Sequence, residues 1–157
     1  MRIRNLLHFI SYLKWFFLIA AIILILYAFI VHPINLISII GLIIFLIGIQ
    51  MGLDSLSDND KMTQKQLGFY RNSKLVKTQS IIILSSIIIT TIVSFLFLSL
   101  KLIFASNDIG LFDELFDVGI DCWALILGLL CLLKSNYDKQ NFVKEADVNQ
   151  NDNPTFD

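Results

Sequence analysis

Charge is scarce in this chain of 157 residues: Asp, Glu, Lys and Arg make up 16% of it, against about a quarter in an ordinary soluble domain, while 56% is hydrophobic. Two cysteines cannot staple a small secreted module, and two prolines with seven glycines exclude a collagen-like or low-complexity chain. A net charge of −1 argues against a strongly basic surface, so no nucleic acid is expected as a partner. The nucleophile elbow, P-loop, dinucleotide fingerprint and zinc-protease signatures are all missing, and the polar connections are too short to hold a catalytic domain. Neither an enzyme nor a cofactor is expected from such a sequence.

What the chain has instead is apolar length. A bilayer core about 30 Å thick needs about 20 helical residues at about 1.5 Å each. Four stretches serve: 15–31, 34–53, 80–104 and 116–133. None shows the period-two alternation of a transmembrane barrel, so helices are expected. The fold class predicted is an all-α integral membrane protein with four transmembrane helices arranged as two helical hairpins. The first run does not read as a cleaved signal, because it is too long and no small-residue cleavage site follows it.

With four spans, both termini share a side with the connection 54–79. Of the 12 Lys and Arg residues, all except Lys101 then fall on that side. The positive-inside rule makes that side the cytoplasm, N-in and C-in, in the plasma (inner) membrane. A three-span reading would break this segregation. Residues 1–143 thus form a four-helix transmembrane domain, with a cytoplasmic loop at 54–79 and a polar cytoplasmic tail, 144–157, expected to be disordered. Inside the loop, Thr63-x-x-Gln66 has the spacing of a capping box and predicts a short helix from about Gln64 to Arg71. Asn72-Ser73 then starts the third span's helix near Lys74, well before the apolar run.

At about 100° per residue, Ser38, Gly41, Gly48 and Gly52 fall on one side of the second span. Small residues let helix backbones approach, and packing is the main force available between helices in lipid. We assign this face to contacts within the chain, in preference to a homodimer face. On the fourth helix Glu114, Asp117, Asp121, Ala124, Gly128, Cys131 and Ser135 share an arc. Cys122, Ile126, Leu129, Leu130 and Leu133 cover the opposite side, and the leucines are expected to face lipid.

Asp121 lies about 20 Å from the inner boundary when counted back from Lys134. A carboxylate at that depth costs at least about 2.5–3.5 kcal/mol unless paired, hydrated or protonated, which makes it a functional candidate. The competing reading is a helix that starts late and leaves Asp121 among headgroups. Lys101 is a candidate partner for Asp117 or Asp121, or snorkels to headgroups by itself. His32 shares that outer depth, but one histidine with scattered carboxylates is no metal signal, and a turn histidine beside Pro33 is the simpler reading. Cys122 and Cys131 stand on opposite sides of one helix and cannot bridge.

Two functions fit. The first is a non-enzymatic accessory or scaffold subunit acting through helix–helix contacts with another membrane protein or with itself, in the lipid bilayer. The second is a small oligomeric cation or proton channel or transporter in which Glu114, Asp117 and Asp121 concentrate cations.

Overall fold

The structure, a computed structural model, describes residues 3–31, 35–56, 62–103 and 110–152, with side chains placed over 12–31, 35–56, 62–103 and 110–147. Its helices are α1 (Ile3–Val31), α2 (Leu36–Ser55), α3 (Gln64–Arg71), α4 (Ser73–Ile103) and α5 (Gly110–Asp152). The chain is all-helical, and α1, α2, α4 and α5 are each long and apolar enough to cross a membrane. Long helices suit these runs because a helix satisfies its own backbone N–H and C=O groups where no water can. At about 1.5 Å per residue the 43-residue α5 is about 65 Å long, roughly twice a bilayer core.

Local chemistry sets the ends of the short helix. Thr63 accepts a hydrogen bond from the Gln66 N–H at 3.4 Å, and Gln66 Oε1 accepts from the Thr63 N–H at 2.8 Å. That reciprocal box opens α3, the helix expected between the second and third apolar runs. Asn72 then closes α3 and caps its successor, its Oδ1 accepting from the N–H groups of Lys74 and Leu75. α4 therefore begins at Ser73, nearly two turns ahead of its apolar stretch.

α5 is the hub. It packs against α2, α4 and α3, whereas α1 packs on α2. Lys14 of α1 reaches Asp54 near the end of α2, so these two helices run in opposite directions. Ser94 of α4 meets Gly119 of α5, and Lys101 meets Asp113, so this pair is also antiparallel. α2 and α5 run side by side in the same direction, Gly41 lying against Val118 and Asp121, and Gly48 against Ala124 and Gly128. The apolar core gathers Ile83 and Ile87 of α4 with Ile126 and Leu129 of α5, ringed by Met51, Leu125, Leu132 and Leu133.

This arrangement corrects two expectations. Leu129 and Leu133 do not face outward: Leu129 is buried with Ile126 against Ile83 and Ile87 of α4, Leu133 packs on that cluster, and Cys122 is buried as well. A helix flanked by two long neighbours has two protein-facing arcs, and on α5 the outward face is left to Ile120, Trp123, Leu127 and Leu130. The helix also continues to Asp152, through most of the tail 144–157 that was expected to be disordered; 153–157 lie outside the described residues. Its end is held by α3. Val143 is 2% exposed, the Tyr70 hydroxyl donates to Asn136 Oδ1 at 3.0 Å, and Arg71 makes a two-pronged contact with Asp147 at 2.6 and 3.2 Å. The rest of the outer surface is greasy: α1 exposes Phe16, Ile19, Ile23, Phe29 and Ile30, among others. Patches of that extent mark a membrane or an interaction surface.

Candidate functional site

The outer polar cluster is built by the antiparallel register of α4 and α5. Ser94, fully buried, donates its hydroxyl to the Gly119 carbonyl at 2.7 Å. Gly119 admits this contact because a Cβ there would stand 3.3 Å from Phe97, Leu98 and the Ser94 carbonyl. About two turns further out, the same register delivers Lys101 to Asp113, Nζ to Oδ1 at 2.9 Å, with the ammonium 4.4 Å from the Phe116 ring centroid. Lys101 thus takes neither Asp117 nor Asp121. Those carboxylates lie one and two turns deeper along α5, below the level at which Lys101 arrives.

Asp121 sits elsewhere, against α2. A Cβ added to Gly41 would lie 2.6 Å from Asp121 Oδ2 and 3.1 Å from Val118 Cγ2, so a glycine is what gives the carboxylate its place. α5 begins at Gly110, about three turns ahead of Asp121, so the helix does not start late. Asp117 is exposed, and Glu114 is partly exposed. His32 lies outside the described residues. Among the described residues no group of three or more His, Cys, Asp or Glu is placed to hold a metal ion.

The small residues of α2 divide by face. Gly48 and Gly128 mark a close backbone approach of α2 and α5: a Cβ on Gly48 would meet the Ala124 carbonyl and the Leu125 nitrogen at 2.5 Å, and one on Gly128 would strike the Gly48 carbonyl oxygen. A Cβ on Gly52 would stand an ordinary 4.0 Å from Gly128, and Ser38 is exposed, away from the seam. The hydroxyls further along α4 turn to their own helix, Ser86 donating to the Ile82 carbonyl and Thr91 to the Ile87 carbonyl.

A second polar layer, not anticipated from the sequence, lies at the opposite end. Lys14 pairs with Asp54 at 2.7 Å, and Tyr70 with Asn136. Asn136 is 2% exposed and Ser135 6%, and their Nδ2 and Oγ atoms, with Gln79 Oε1, are buried without a hydrogen-bond partner among the described residues. The signal available was Asn136, Gln140, Val143 and Asp147 at three- and four-residue spacing, one face continuing past the apolar run.

Two consequences are testable. The Lys101–Asp113 pair is largely exposed on the carboxylate side, so a double-mutant cycle with Lys101→Gln and Asp113→Asn should give a coupling of only about 0.5 kcal/mol. Lys101→Gln alone should lose about 0.5–1 kcal/mol more than Asp113→Asn, through the Phe116 ring contact. For Tyr70, burial first and the Asp54 charge second raise the phenol pKa above its ordinary value. The folded state therefore keeps the proton longer than the unfolded chain. The stability that follows is fully present below the unfolded value of about 10 and disappears as pH rises through the raised folded value. Tyrosinate absorbance of the wild type minus Tyr70→Phe should show a titration displaced upward, and α3 docking should be flat between about pH 6 and 9.

No protein-family model, curated protein or solved structure matches this chain.

Proposed function

We propose that the chain is a four-span inner-membrane protein with both termini cytoplasmic, its two pairs α1–α2 and α4–α5 inserted as hairpins. Its role is that of a non-enzymatic accessory or scaffold subunit, acting through helix–helix contacts with another membrane protein or with its own copies. The observation that supports this reading is where the polar groups of the spans go. Ser94 bridges α4 to the α5 backbone, Ser86 and Thr91 bond their own helix, and Asp121 lies against the α2 glycine. These contacts fix helices relative to one another. The broad apolar face of α1, which packs on α2, supplies the area on which a second membrane protein would seat.

The test is purification of a tagged copy from its native membrane in mild detergent, with complex mass and co-purifying proteins read together. A stoichiometric partner supports the accessory role. A clean homo-oligomer without a partner fits self-association as well as the second reading, a cation or proton pathway. That reading is favoured by one feature: no hydrogen bond among the described residues reaches Asp121, with Asp117 one turn away. It requires Asp121-dependent ion or proton flux in liposomes, and flux that survives Asp121→Asn removes it.

A further inference from the structure

The outward side of the α4–α5 pair carries a groove with a polar foot. At its upper end the rings of Phe95 and Trp123 meet edge to face, centroids 5.9 Å apart, which fixes both residues on one side of the pair. Lys77 is eighteen residues before Phe95, five whole helical turns, so it lies directly below Phe95 on α4. Lys134 is eleven residues after Trp123, about three turns, so it lies directly below Trp123 on α5. The two lysines therefore flank the same groove. Between them and the rings, Leu84, Ile88, Leu127 and Leu130 are exposed along its walls. The opposite side of the pair is occupied at this end by α3, through Tyr70, Asn136 and the Arg71–Asp147 contact.

We infer that this groove seats one anionic phospholipid of the leaflet at the basic end, its phosphate between Lys77 and Lys134 and its chains running up toward Trp123. Charge complementarity supports that occupant. Both lysines are exposed and neither makes an ion pair among the described residues; Asp138, one turn below Lys134 on the same side of α5, still leaves two cations against one anion at this foot. Length supports it too. Lys134 and Trp123 are about 16 Å apart along α5, which matches the hydrocarbon depth of one leaflet, about half of a 30 Å core. Continuing the α4–α5 register brings Tyr137, 64% exposed, to the level of Lys77, where its hydroxyl is placed to donate to the same phosphate. This seat rests on the membrane reading, and it holds whether or not the chain serves as a subunit.

The test is thermal unfolding of the purified full-length chain in a neutral detergent, with phosphatidylglycerol, phosphatidylcholine or inorganic phosphate added. Phosphatidylglycerol should raise the midpoint by about 2–4 °C more than phosphatidylcholine does, as expected for a ligand that binds the folded state. Lys77→Gln/Lys134→Gln should abolish the difference, Lys77→Arg/Lys134→Arg should keep it, and Lys65→Gln/Lys144→Gln, away from the groove, should leave it intact. Equal effects of the two lipids, reproduction by inorganic phosphate, or a preference that survives the paired glutamine change would overturn the seat. Should that variant fail to fold, native mass spectrometry of the wild type in an equimolar lipid mixture decides. Phosphatidylglycerol adducts in excess support the seat, and adducts in proportion to the mixture refute it.

Discussion

Gly48→Ala should cost about 3 kcal/mol, at the upper end of what overpacking does, because the added methyl group would meet the α5 backbone itself. Its neighbours at 2.5 Å are the Ala124 carbonyl oxygen and the Leu125 nitrogen, atoms that cannot rotate away. Relief requires the two helix axes to part, and that opens the seam along its length. Gly128→Ala should do comparable damage from the other side, striking the Gly48 carbonyl. Combining the two should give no rescue, since both add volume to one gap. Two controls separate this from a general intolerance of mutation. Gly52→Ala meets only Gly128 at 4.0 Å and should be near neutral, and Gly68 on α3 has nothing within 4 Å. Gly41→Ala should fall between, because its nearest neighbour is the mobile tip of Asp121. The measurement is thermal unfolding in detergent together with a distance probe between α2 and α5. A Gly48→Ala protein with unchanged midpoint and unchanged spacing would contradict the seam.

Val143→Asp should release the far end of α5 while leaving the spans packed. Val143 is 2% exposed and shares a face with Asn136 and Asp147, the two residues that hold α3. A carboxylate buried there without a partner costs about 3 kcal/mol and adds like-charge repulsion toward Asp147. Hydrogen exchange should then quicken by about a hundredfold over 137–152 and over α3, with α2 and the middle of α4 unchanged. Equal acceleration throughout the molecule would mean that the end of α5 is part of the same cooperative unit as the spans. No acceleration at all would mean that this segment is not docked in solution, as its polar composition alone suggests.

That second experiment bears on a difference between composition and packing. The four apolar runs are legible because each keeps its apolar character over a bilayer's thickness, the fourth despite Asp117 and Asp121, and the capping box announces α3 in four residues. The tail is not legible in the same way. Its mean polarity reads as disorder, yet one valine in register with Asn136 and Asp147 docks it, and a partner helix decides whether such a spacing matters. Helix neighbours are equally hidden. Glycines at 48 and 128 each signal close approach, but the sequence of α2 alone does not say that its partner is α5. Treating α5 as two-faced, polar and lipid-facing, misplaces Leu129 and Leu133, because a central helix has three environments. The choice open to Lys101, between Asp117 or Asp121 and headgroups alone, misses Asp113 for a related reason: its level on α5 follows from the Ser94–Gly119 contact, and only the assembled pair sets that.

The position of α5 has a consequence for synthesis. A ribosome releases α1, α2 and α4 before the helix that packs on α2, α3 and α4 has emerged. During that interval Gly48 faces no partner and the core isoleucines of α4 lie open to lipid or to other chains. Closure of the bundle is therefore a late event, triggered by arrival of Gly128, 80 residues after Gly48, and not a stepwise accretion of neighbours. Translation that stops short of α5 leaves three long apolar helices with an unoccupied glycine seam, a product that exposes the surface α5 would cover.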